Sequence, residues 1–311
     1  MSAVVAGAAA PVSTAVRRPR GGLLRAILGN RKAMFGAALL LLFILLAAFP
    51  HLFVPWLHGD PRAIGDLPLQ EPSSTHWLGT TGLGQDVYAE LIYSTRESLV
   101  IAVVAGLGAT ILSVIIGVSA AYLGGLADDG LSMLTDIFLV LPTFPLIIVL
   151  ATYAGKGNLT VIIIVLILTG WSYGARQMRV QALSLRNRDF LESARVRGER
   201  RSYIIVVEVL PTMISLIVAN FLGAALYSVL TAAGLQFLGL GDPNSLSWGT
   251  MLYWAQNQGA LVNGLPAWAL SPGLAVALLG VSFALLNYAF DEISNPALRP
   301  VRRRRAKSVH S

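Results

Sequence analysis

Six stretches of this chain are long and apolar enough to cross a lipid bilayer, and no other feature constrains its folding as much. A membrane helix needs about 20 mostly apolar residues to span a hydrocarbon core of roughly 30 Å. The stretches run over about 34–54, 98–123, 136–156, 156–176, 213–235 and 271–290. No charged side chain occurs between Glu97 and Asp128. Charge makes up only 13% of the chain, against about 25% in an average soluble domain, too little to cover a water-facing surface. The expected fold class is an all-α integral membrane protein with six transmembrane helices.

Lysine and arginine orient such a protein, because they are enriched in cytoplasmic segments. With the N-terminus inside, 20 of the 23 basic residues fall on the inner side, eight of them in the 176–212 loop. Only Arg62, Arg96 and Lys156 fall outside. The net charge of +7 therefore reports inner arginine rather than nucleic-acid binding. The expectation is a multi-pass protein of the cell (inner or plasma) membrane with both termini cytoplasmic. Residues 1–33 read as a flexible basic arm, and 34–97 as the first span with an outer loop. Residues 98–291 read as a five-helix core, and 292–311 as a basic tail lying near anionic lipid. A signal peptide fits the N-terminus poorly, because the apolar run is too long and no cleavage pattern follows it.

Several chemistries are absent. The chain has no cysteine, which removes disulfides, thiolate metal sites and thiol nucleophiles. His51, His58, His76 and His310 lie far apart and form no metal-binding pair in sequence. The spans hold almost no ionisable side chains, whereas ion-coupled carriers place carboxylates or histidines there. No phosphate-cradling GxxxxGK[ST] loop occurs, so ATP is not bound in that way by this chain. The energy for any transport would enter from elsewhere.

Two spans carry finer signals. Ala102, Gly106, Ala109, Ser113, Gly117, Ala121 and Gly124 recur every three or four residues, which forms a small-residue stripe for close helix approach. It would serve the chain's own bundle or a partner subunit. Pro142 and Pro145 are expected to kink the third span.

The inner loop 176–212 is longer than a helix hairpin needs. Its stretch "ESARVRGERRSYIIVVEVLP" (192–211) is charged in otherwise apolar surroundings. Asp189 and Glu192 form a D-x-x-E pattern like a capping box, which predicts a short helix starting there. Leu191, Ala194 and Arg195 would share one face of it. Gly198 would end it in the left-handed conformation, and a second short helix would run from near Ser202 to Pro211. Such a hairpin could clamp the bundle or present a docking surface.

The stretch resembles the EAA loop of ABC-importer permeases, a pattern of Glu-Ala-Ala, three residues, Gly, nine residues, Ile, one residue and Leu-Pro. Here it maps to Glu192, Ser193, Ala194, Gly198, Glu208, Leu210 and Pro211. Ser193 and Glu208 depart from the pattern. Four further stretches fit the same family in order: "HWLGTTGLGQDVYAELIYSTRESL" (76–99), "TDIFLVLPTFPLII" (135–148), "FLGLGDPNSLSWGTML" (237–252) and the run 271–300. They are similar to C-type subunits of dipeptide, oligopeptide and nickel permeases over about residues 30–300.

The resemblance implies a type I importer permease fold whose inner loop is a coupling helix seated in an ATPase subunit. It implies four partners or more: a sister permease, two ABC ATPase subunits and an extracytoplasmic binding protein, besides membrane lipid. ATP and Mg would sit on the ATPase subunits, with no cofactor on this chain and no enzymatic role for it. The outer segments 55–97 and 236–270 would receive the binding protein near "PNSLSWG". Peptides are the expected cargo, with oligosaccharide or nickel as alternatives. A stand-alone ion-coupled carrier and a non-transport scaffold are the competing classes. Asn220, Tyr227, Ser228 and Asn287 are the polar residues in the spans that could line a path; each could equally hydrogen-bond between helices.

Overall fold

In the computed structural model, residues 30–56, 60–153 and 158–294 are described. The N-terminal arm before Asn30, the tail beyond Ser294, Lys156, His58 and His310 lie outside them. Every named element among the described residues is helical. Four helices are long and apolar enough to cross a membrane: α1 (Arg31–Ala48), α3 (Val87–Leu123), α9 (Arg201–Phe237) and α11 (Pro266–Ser294). Two bent pairs, α4 (Gly125–Val140) with α5 (Thr143–Tyr153) and α6 (Leu159–Gly170) with α7 (Ser172–Arg186), bring the spans to six if each pair counts as one. Short helices α2 (Pro50–Phe53), α8 (Asp189–Val196) and α10 (Trp248–Asn257) lie in the connections.

α3 is the axis of the bundle. Its 37 residues extend about 55 Å at 1.5 Å per residue, well beyond a bilayer core. It starts eleven residues before the expected Ser98, because Asp86 caps it by accepting the Ala89 amide at 2.9 Å. The small-residue stripe packs inside the chain. A side chain at Gly106 would meet the Ala225 backbone at 2.9 Å, and one at Gly117 the Ala175 carbonyl at 2.3 Å. The Ser113 hydroxyl donates to the Trp171 carbonyl at 2.7 Å and ties α3 to the joint between α6 and α7.

The expected third span is broken rather than kinked. α4 and α5 meet at 89° around Leu141 and Pro142. The proline ring forces Leu141 to an extended ψ of 135° and ends α4 there. Pro145 lies in the first turn of α5, where no intrahelical donor is needed. The fourth span bends by 41° at Trp171.

The fifth span also departs from expectation. The separate short helix near Ser202 does not exist; Arg201–Phe237 is one continuous helix with a π-helical stretch at Ile204–Val209. That stretch precedes Pro211, and the Leu210 amide reaches back to the Ile205 carbonyl. Widening the turn there accommodates a residue that cannot continue the normal ladder.

At the opposite end, the loop 60–86 is fastened to 238–247. Arg62 pairs with the Glu90 carboxylate at 3.2 Å and also donates to the Pro243 and Ser245 carbonyls. Trp248 donates its indole N–H to the Leu91 carbonyl and its amide to the Ser98 hydroxyl, both at 3.1 Å.

Candidate functional site

The charged loop builds α8 at the arginine-rich end of the bundle. Its N-cap is Arg188 with no side-chain cap, so Asp189 is the first helical residue and no capping box forms. Asp189 and Glu192 both lie in the first turn, where their charge complements the helix dipole. The helix ends as expected. Gly198 takes φ +79°, the Gly198 amide donates to the Arg195 carbonyl at 2.9 Å and the Glu199 amide to the Ala194 carbonyl at 3.2 Å. These two bonds are a Schellman motif, which satisfies carbonyls the helix leaves open.

Of the expected face of Leu191, Ala194 and Arg195, the two apolar residues turn inward and Arg195 stays exposed. Leu191 and Ala194 are fully buried, clustered with Val118 and Ala121 of α3, Met178 and Ala182 of α7, and Ile204, Val209 and Met213 of α9. Arg195 donates to the Arg186 carbonyl at 2.9 Å. The other face, with Phe190, Glu192, Ser193 and Val196, is open to solvent. The helix is therefore packed into the bundle on one side and open on the other. Glu208 is half-buried in the π-helical stretch, 4.0 Å from the Arg197 guanidinium; Leu210 is half-buried and Pro211 exposed.

A cavity of about 470 Å³ opens between the two bent spans, α9 and α11. Asn220, Tyr227 and Asn287 line it, as the sequence suggested. Ser228 does not: it is 1% exposed and packed on another face of α9. One residue along a helix turns the side chain by about 100°, and that turn carries Ser228 away from the cavity that Tyr227 lines. The sequence reading missed Thr143, Thr169, Tyr173 and Gln177. The spacing of Gly170, Tyr173, Gly174 and Gln177 could have found two of them, since it marks one helical face.

The lining carries amides and hydroxyls and no charged side chain. The Asn220 side-chain oxygen is buried with no hydrogen-bond partner. Gly174 makes room for that amide: a Cβ there would fall 2.3 Å from Asn220 Nδ2 and 2.5 Å from Ser113 Oγ. Such a lining can exchange hydrogen bonds with a neutral polar solute without holding it tightly.

Comparison with known proteins gives the same direction. A profile of the family "Binding-protein-dependent transport system inner membrane component" matches residues 113–299. The oligopeptide transport system permease protein OppC of Mycobacterium tuberculosis (strain ATCC 25618 / H37Rv) is 32% identical over 285 residues, covering 90% of this chain and 96% of that protein. The nickel transport system permease protein NikC of Escherichia coli K12 is 34% identical over 247 residues, covering 78% and 87%.

Proposed function

Because this chain belongs to the family of inner-membrane components of binding-protein-dependent transport systems, a permease component of ABC importers, we propose that it carries peptides and is driven through α8. It works with a sister permease, two ABC ATPase subunits that bind ATP and Mg, and an extracytoplasmic binding protein. The arginine-rich end and both termini face the cytoplasm in this reading. Residues 98–291 form the permease core, with 176–212 as the coupling loop. The outer segments 55–97 and 236–270 receive the binding protein.

The observation that carries the coupling role is the two-sidedness of α8. Its buried side joins one apolar cluster with α3, α7 and α9, so any displacement of α8 is transmitted to those spans. Its open side offers Phe190, Glu192 and Val196 to a subunit below. Packed interiors shift as units, which makes such a lever effective.

Peptide cargo is supported by the uncharged amide and hydroxyl lining of the cavity. Those groups match a peptide backbone, whereas a bare divalent cation favours carboxylate, imidazole or thiolate. Oligosaccharide hydroxyls fit the same lining and are the second reading. The test is uptake by the complete transporter, reconstituted with its cognate binding protein, of labelled tripeptide, maltotriose and nickel. ATP-dependent accumulation of the tripeptide is expected; accumulation of only the sugar or only the metal would sink the peptide reading.

A further inference from the structure

A second cavity, of about 350 Å³, lies beside the coupling loop and has no place in the transport path. Its walls come from four elements: Tyr122 in the last turn of α3, Arg186 at the end of α7, Arg195 in α8 and Arg201 at the start of α9, with Glu199 from the turn between. Three arginines and one glutamate thus line it. Arg186 also donates to the Ala121 carbonyl at 3.2 Å and Arg195 to the Arg186 carbonyl at 2.9 Å, which fixes two of them in place. The Tyr122 side chain is only 8% exposed, and its hydroxyl is buried with no hydrogen-bond partner.

A buried hydroxyl without a partner loses its hydration for nothing when the cavity is empty. An anion beside it would accept from that hydroxyl and pair with the arginines of the wall. A phosphate group suits best, because its oxygens match the guanidinium fork and also accept from a phenol. We propose that this cavity binds the phosphate of an anionic lipid headgroup, bridging α3, α7, α8 and α9 at the membrane surface. The surroundings favour lipid over a dissolved phosphate. Leu123 and Tyr203, each next in sequence to a cavity residue, are 58% and 44% exposed, so apolar surface lies at the same helix ends. Basic pockets between helix ends near the membrane surface take headgroups of this kind. The inference rests on the membrane placement of these helices and not on the cargo.

The test uses the complete transporter in detergent, with lipid retention read by native mass spectrometry. Phosphatidylglycerol or cardiolipin should be retained roughly tenfold or more over phosphatidylcholine. Tyr122→Phe should reduce that preference several-fold while assembly is unchanged, and Arg201→Gln should reduce it as well. Tyr122→Phe is informative in both directions, because at an empty site it removes an unpaired hydroxyl and leaves lipid retention as it was. A parallel arm adds millimolar inorganic phosphate. Protection of the cavity by phosphate without any lipid preference would keep the anion site but make its occupant a solute. Equal lipid preference in wild type and both variants would overturn the proposal. So would a cavity that takes neither headgroup nor phosphate and is covered only when the ATPase subunits bind. Retention is read without transport, so its failure leaves the permease reading intact.

Discussion

The guanidinium of Arg195, in α8, donates a hydrogen bond at 2.9 Å to the backbone carbonyl of Arg186, the last residue of α7. The short helix is thereby tied to the end of a span by a polar contact, as well as by the burial of Leu191 and Ala194. A force applied to its outer face has a direct route into the bundle.

The turn that ends this helix is open to a specific test. No atom lies within 4 Å of a Cβ built at Gly198, so substitution there acts through the backbone alone. At φ +79° a β-branched residue is strained by at least about 1–2 kcal/mol. Gly198→Val should insert normally yet lose ATPase co-purification and uptake, while Gly198→Asn, which tolerates this conformation, should keep most of both. Equal, wild-type behaviour of both variants would make the turn dispensable.

The two sides of α8 should respond differently. Leu191→Ala opens a cavity in a full cluster and should cost about 2–5 kcal/mol, seen as a lower melting temperature and protease sensitivity of the loop. Glu192→Lys leaves that packing alone. It should melt as wild type but fail to retain the ATPase subunits, since a charge reversal at an interface can cost several kcal/mol. Matching melting curves for the two variants would count against the assignment of faces.

In the cavity, Gly174→Ala should be poorly tolerated. Its methyl group would fall 2.3 Å from the Asn220 amide, so the amide must move into the cavity. Overpacking of this kind typically costs about 1–3 kcal/mol. Uptake should drop more than assembly does; normal uptake would remove Asn220 from the path.

Two ion pairs offer a contrast in stability. Arg62 and Glu90 have side chains 15% and 4% exposed, so Arg62→Met leaves a buried carboxylate without its partner and should cost about 3–5 kcal/mol. The Asp136–Arg176 pair is 64% and 60% exposed on its cation and anion, and Asp136→Asn should cost under about 1 kcal/mol. Calorimetry or thermal melting in detergent distinguishes them. A small loss on Arg62→Met would show that the outer loop is fastened by other contacts.

Orientation can be read chemically, because the chain has no cysteine of its own. Ser73 and Ser202 are both exposed at opposite ends of the bundle. Ser73→Cys should react with an impermeant maleimide added to intact cells, and Ser202→Cys only after permeabilisation. The reverse pattern would invert the topology.

Much of this protein was legible without coordinates. The spans follow from apolar runs, because partition into lipid is a sum over consecutive residues and needs no knowledge of neighbours. The charged loop and its glycine turn were legible for a similar reason: Gly198 carries its conformational freedom locally. Asn220, Tyr227 and Asn287 were legible as rare polar side chains in apolar runs.

What tertiary structure decided is how those pieces meet. Asp189 and Glu192 have the spacing of a capping box, but the chain leaving α7 makes Arg188 the cap instead. Ser228 is polar like the residues that line the cavity, but its direction on α9 buries it elsewhere. Pro142 announced a kink, and the 89° between α4 and α5 is visible only in the fold. The inward face of α8 depends on Val118, Met178 and Met213, each distant in sequence. The cavity of Tyr122, Arg186, Arg195 and Arg201 is likewise assembled from four separate elements. Local sequence sets partition and turn geometry, because those depend on a residue and its immediate neighbours. Which face meets which partner depends on the relative placement of helices, and that is settled only when the whole bundle packs.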